Sequence, residues 1–275
     1  MQVARILSLD VVLGALASGG MAAKWLNVAM PWVWWIALPL SVWVIYTADH
    51  LLDAYRLQGK ASTPRHLFHH QFFCPLTWIW GGGLISCLTW IPYFAPKEMW
   101  FFGFAMGGVV LIHLGLVYLI GDRTSLLFIK ELGVGGIYSL GVWGAPLVSN
   151  WGNWPMATES LLLQFFLLAL INLLLFSWYE HHIDERDGHT SFVRAIGPQR
   201  ASWLILSLIV FVVGIGITQV QELSSPIFWL IQGCYALMLL VLGLVAFGHS
   251  FFGKNERYRV WGDMVFLFPF VIWLW

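Results

Sequence analysis

Charge is what this chain of 275 residues has least of: Asp, Glu, Lys and Arg make up 10% of it. Soluble domains carry about a quarter. With 59% hydrophobic residues and a mean hydropathy of +0.76, that scarcity excludes an ordinary soluble domain and leaves a multispanning membrane protein. Net charge is zero, so nothing in the charge balance points to nucleic acid. Cysteine is nearly absent too. Cys74, Cys87 and Cys234 all fall inside apolar runs, which excludes a disulfide framework or a zinc site and makes them small core residues. The N-terminus holds one Arg before an apolar stretch interrupted by Asp10. It has no further basic run and no clear small-residue cleavage site, so no cleaved signal peptide is expected.

What is present is long apolar runs. A spanning helix needs about 20 such residues. Nine segments meet that length, at about 5–24, 29–48, 72–94, 98–120, 125–148, 157–178, 202–219, 226–248 and 259–275. Many are rich in Ile, Val and Phe. In lipid, however, the backbone must satisfy itself, which makes them helices. Pro31, Pro75, Pro155 and Pro226 lie near segment starts, where a missing N–H costs little. Gly81–Gly83 and Gly133–Gly136 suit close helix packing, and many of the 18 tryptophans sit near span ends as interfacial anchors.

The basic residues support this count. With nine spans, Arg5, Arg56, Lys60, Arg65, Arg123, Lys130, Arg186, Arg194, Arg200, Lys254, Arg257 and Arg259 fall on one side, and only Lys24 and Lys97 on the other. The positive-inside rule makes the first side cytoplasmic, with the N-terminus inside and the C-terminus outside. The expected fold class is therefore all-α. It is an integral membrane bundle of nine transmembrane helices in a cell inner membrane or its equivalent, with cytoplasmic loops carrying two acidic motifs. The chain forms a single domain, 1–275. Two pseudo-repeated halves cover roughly 1–122 and 123–248, and a ninth helix covers 259–275.

Those motifs end spans two and six on the cytoplasmic side. The first is Asp49-His-Leu-Leu-Asp53. The second is Glu180-His-His-Ile-Asp184, continued by Glu185-Arg-Asp187-Gly188. Carboxylates beside lipid are expensive and mark a site by default. Asp49 and Asp53 are spaced i, i+4 and share a helix face, as do Glu180 and Asp184. Four converging carboxylates repel one another. A hard divalent cation relieves that, and Mg²⁺ takes one or two carboxylates together with waters and phosphate oxygens. Arg56, Lys60 and Arg65 follow the first motif, Arg186 and Arg194 follow the second, and Lys130 begins span five. Cations beside a carboxylate–metal site are what a diphosphate requires. Either pair alone would read as interfacial charge. Two equal spacings on one side, flanked by bases, favour a site.

These residues resemble the UbiA-type intramembrane prenyltransferases. That family has nine transmembrane helices and two cytoplasmic acidic motifs, Asn-x-x-x-Asp-x-x-x-Asp and Asp-x-x-x-Asp followed by Gly and Thr. Here the first reads Ile45-x-x-x-Asp49-x-x-x-Asp53, continued by Arg56 and Pro64-Arg65. The second reads Glu180-x-x-x-Asp184-x-x-x-Gly188-x-Thr190, with Arg194 and Gly197 beyond. Lys130-Glu131 is similar to a basic position on the family's fifth helix. Ile45 stands where the family has Asn, Glu180 where it has Asp, and the Gly188–Thr190 spacing is one residue short. Asp187 supplies an alternative pair with Asp184. The resemblance covers the topology of the whole chain, but its motifs cover only about 45–66 and 180–197. It implies Mg²⁺ held by Asp49, Asp53, Glu180, Asp184 and Asp187. It implies a prenyl diphosphate donor bound by Arg56, Arg65, Lys130, Arg186 and Arg194, and transfer of a polyprenyl group to a lipophilic, aromatic acceptor. Membrane lipids are the remaining partners. Cyclisation of the allylic cation is the other fate open to it.

Histidine offers a rival. His66-x-x-His69-His70, His181-His182, His189 and His50 resemble the boxes of membrane di-iron oxidases and desaturases. The full set of boxes is absent, and nine spans exceed that family's usual number. A third expectation is a catalytically inactive, family-like lipid-binding subunit, suggested by Ile45. His113 and His249 are lone histidines in spans four and eight and read as core residues. Asp10 either joins the site or pairs with a neighbouring helix.

Overall fold

The structure, a computed structural model, describes residues 5–57, 64–120, 127–187, 191–220 and 225–274. Among them there is no strand. Eleven segments of α-helix run up to residue 252: α1 (Leu9–Trp25), α2 (Trp34–Leu57), α3 (Pro64–Gln71), α4 (Phe73–Phe94), α5 (Lys97–Ile120), α6 (Leu127–Ser149), α7 (Thr158–Asp187), α8 (Phe192–Ile196), α9 (Pro198–Val220), α10 (Pro226–Phe247) and α11 (His249–Phe252). α12 (Arg257–Met264) continues directly into a 3₁₀ segment, Val265–Leu274.

Seven of these helices are long and apolar enough to cross a membrane: α2, α4, α5, α6, α7, α9 and α10. They correspond to the second through eighth expected spans. The first and last expected spans take other forms. α1 has 17 residues and stops at Trp25, where Asn27 turns left-handed (φ 53°). Residues 259–274 are split between α12 and the 3₁₀ segment, within which Pro269 lacks the N–H an α-helix would use. A further difference concerns the acidic motifs, which the sequence reading put on loops. α2 runs on through Asp53 to Leu57 and α7 through Asp184 to Asp187, so both motifs are helical. Their polar residues continue the i→i−4 ladder begun in the apolar part.

The bundle closes around α1 and α7. Of the α7 span 61% is buried, against 6% of the α5 span, so α7 is core and α5 is peripheral. α1 packs against α2, α6 and most extensively the 3₁₀ segment. Its sequence permits this, because Ala15, Ala17, Ala22 and Ala23 are buried and glycines mark the closest approaches. A Cβ on Gly19 would fall 2.7 Å from Leu38, and one on Gly20 would fall 2.5 Å from the Trp273 ring. α7 and α10 are joined by a reciprocal amide pair. Gln232 Nε2 donates to Gln164 Oε1 at 2.8 Å, and Gln164 Nε2 donates back to Gln232 Oε1 at 3.3 Å. Gln164 Nε2 also approaches the Val212 carbonyl at 3.4 Å, so these amides join helices by hydrogen bonds inside an apolar bundle.

Contacts between distant segments define the two ends. At one, the Lys24 ammonium donates to the Ile272 carbonyl, the Trp25 indole to Thr158 Oγ1, and the Asn150 amide to the Leu26 carbonyl. Trp34, Trp35 and Trp273 stack edge-on there. At the other end, Arg5 binds Glu256 at 3.0 Å, Ser8 contacts His50 at 3.2 Å, and the Phe192 N–H donates to Glu131 at 3.2 Å. Both acidic helix ends belong to this second end.

Gly20→Leu is expected to destabilise the protein by about 1–3 kcal/mol through overpacking against Trp273. Gly81→Leu, where a Cβ meets nothing within 4 Å, is expected to change stability little. Thermal unfolding of the two variants in the same detergent compares them.

Candidate functional site

Each acidic helix end is followed by a short helix before the next span begins. α2 leads through α3 to α4, and α7 leads through α8 to α9. Asp49 is exposed on the last turns of α2, and Asp53 lies half-buried one turn further on. Between them His50 is buried, with its Nε2 against Ser8 Oγ and its ring 5.0 Å from that of buried His69 on α3. This ring contact folds the polar helix α3 back against α2. The side chains of Arg56 and Arg65 lie outside the described residues.

Glu180 on α7 is half-buried and paired. Its Oε1 accepts from the Tyr258 hydroxyl at 2.8 Å and from the Arg259 guanidinium at 2.5 Å. Both contacts use Oε1, and Oε2 takes part in neither. Tyr258 stacks flat on Tyr179 with ring centres 4.4 Å apart, and Arg259 lies over the Phe176 ring at 5.3 Å. One carboxylate thus holds the start of α12 against α7. A buried charge needs such a partner, and a cation over an aromatic face adds to it. The side chains of Asp184, Arg186 and Asp187 lie outside the described residues. Lys130 and Arg194 are exposed at the same end of the bundle. Beside Lys130, Glu131 is buried and accepts from the Phe192 N–H at the start of α8.

Among the described residues no group of three or more His, Cys, Asp or Glu side chains is gathered to hold a metal ion. Pairs are present. Asp49 and Asp53 lie one turn apart on α2, and carboxylate oxygens are hard donors of the kind Mg²⁺ takes. The histidines also fall in pairs. His50 meets His69, and His181 meets His182 with ring centres 3.8 Å apart. The lone histidines sit against carbon surfaces. A Cβ on Gly133 would collide with the His113 ring, and His249 stacks on Trp178 at 4.3 Å. Asp10 sits in the first turn of α1, where its Oδ1 accepts from the Val11 N–H.

The sequence reading did not single out Tyr258, Arg259, Asp263 or Asn172. Asn172 is buried in α7, two turns before Glu180, and its Nδ2 approaches Asp263 Oδ1 at 3.5 Å. The signal was present: Arg259 and Asp263 repeat the i, i+4 spacing inside the last apolar segment, where ions are costly. Compared with known proteins, the chain matches no family model, no curated protein and no solved structure.

Arg259→Met leaves Glu180 without its cation and is expected to lower stability by about 3 kcal/mol. Pairing it with Glu180→Leu is expected to recover most of that loss. Unfolding curves of the single and double variants measure the coupling.

Proposed function

We propose that this protein is an integral membrane prenyltransferase that moves a polyprenyl group from its diphosphate to a lipophilic ring. The observation that carries this reading is the presence of both acidic helix ends at one end of the bundle. They are tied there by the contacts of Ser8 with His50, Arg5 with Glu256, and Glu180 with Tyr258 and Arg259. The motif resemblance adds to it.

The chain is taken to cross the membrane nine times, with its N-terminus and acidic end in the cytoplasm. α12 and the 3₁₀ segment together rise about 32 Å, close to the 30 Å of hydrocarbon. α1 rises about 25 Å, within one turn of it. Lys24 lies at the opposite end from the acidic motifs, and Lys97 opens α5 after α4 has left the acidic end, as the charge bias requires.

In this reading Asp49, Asp53, Glu180 through Oε2, Asp184 and Asp187 hold Mg²⁺. An ion held there would neutralise charge on a departing diphosphate. Arg56, Arg65, Lys130, Arg186 and Arg194 bind the diphosphate oxygens. The carbon–oxygen bond breaks, and its electron pair leaves with diphosphate. The allylic carbon gains a bond from an electron-rich ring carbon, and that carbon's proton passes to water. Aromatic faces such as Phe176, Tyr258, Phe266 and Phe165 line the interior beneath this end and suit a passing cation. The prenyl chain lies among the helices.

Asp49→Ala and Asp184→Ala are each expected to lower Mg²⁺-dependent release of diphosphate from farnesyl diphosphate by at least about 100-fold, the scale of losing electrostatic stabilisation. Both variants should keep the wild-type elution profile in detergent. Full turnover in both would remove the assigned metal roles, and stoichiometric iron in the purified protein would favour the oxidase instead.

A further inference from the structure

Where α7, α9 and the end of α10 meet, near the acidic end, they leave a cleft of about 190 Å³. Its floor is carbon. Leu175 of α7 and Ile205 of α9 are buried at the bottom, and Leu206 and Ile209 stand half-buried at its side. One wall is fixed by polar contacts. The His249 ring stacks on Trp178 with centres 4.3 Å apart, and the Trp178 indole donates to the Pro198 carbonyl at 3.1 Å. Ser202 Oγ donates to the same carbonyl at 2.9 Å, so the rim is tied to the start of α9. At the mouth Trp203 and Phe247 are 64% and 72% exposed. Close-packed interiors leave few gaps larger than a water, so an apolar cleft of this size suits a stretch of alkyl chain.

The cleft is separate from the acidic site. Trp178 and Glu180 are two residues apart in α7, about 200° around the helix, so the cleft and the Glu180–Arg259 contact occupy opposite faces. The charge at its mouth is of one kind on α9. Arg200 is exposed in the first turn of that helix, three residues before Trp203 and on the same face. A guanidinium above an apolar cleft complements a carbon chain that ends in a phosphate.

We propose that this cleft is a phospholipid-binding site, with part of one acyl chain between α7, α9 and α10 and the phosphate on Arg200. Trp203 and Phe247 then stand at the level of the glycerol, where aromatic side chains collect at a membrane surface. The site is independent of prenyl transfer.

The test uses the full chain in dodecyl maltoside, which carries no phosphate. Phosphatidylglycerol and diacylglycerol bearing the same diazirine midway along one acyl chain are photolysed with it, and labelled peptides are measured by mass spectrometry. Residues 202–209 and 246–249 are expected to take about tenfold more label from phosphatidylglycerol, the scale of one charge-assisted hydrogen bond. On the exposed helix α5 the two lipids should label alike. Arg200→Gln should bring phosphatidylglycerol down to the diacylglycerol level. Leu206→Trp, which fills the cleft, and Ser202→Trp, which blocks its mouth from an exposed position, should each remove the label from 246–249. Equal labelling by the two lipids in the wild type, a preference that survives Arg200→Gln, or label that survives both tryptophan variants overturns the inference. Excess farnesyl diphosphate with Mg²⁺ should leave the labelling unchanged; displacement would give the cleft to the prenyl donor and overturn the phospholipid assignment.

Discussion

A carboxylate drawn into an apolar bundle must find a cation or lose its charge, and Glu180 finds Arg259. That contact fixes more than two side chains. It docks the start of α12 on α7, lays Tyr258 flat on Tyr179, and sets Arg259 over Phe176. From there the 3₁₀ segment runs along α1 to the far end, where Lys24 meets the Ile272 carbonyl. The C-terminal segment is thereby held at both ends by polar contacts and along its length by close packing against glycines.

Close packing and polar satisfaction act together in this bundle. Lipid offers no hydrophobic drive to bring helices together, so shape and hydrogen bonds must do it. α1 answers with Ala and Gly, which let Trp34, Leu38, Phe266 and Trp273 reach its backbone. α7 answers with a few amides placed deep in its apolar run: Gln164 reaches Gln232, and Asn172 reaches Asp263. The peripheral helices α4 and α5 bury little of their surface.

The acidic end combines two uses of the same residue type. Glu180 commits one oxygen to structure, while Asp49 stays exposed on the opposite motif.

Composition and span length determined much of this protein on their own. Scarce charge and long apolar runs required membrane helices. Seven runs between residues 29 and 248 became helices long and apolar enough to cross a membrane, because a backbone in lipid has few other ways to satisfy itself. The i, i+4 acids were legible as helix faces, and α2 and α7 carry them as helix. Two things were decided only in three dimensions. One was the form of the terminal segments, since α1 is short and Gly-rich to serve as a packing centre, and Pro269 lies in a chain tightened to 3₁₀. The other was the pairing of ions: Glu180 and Arg259 are 79 positions apart in the numbering, and no local spacing links them. Periodicity reports which face a residue occupies, whereas the partner across that face depends on which helices the close contacts of α1 and α7 bring together.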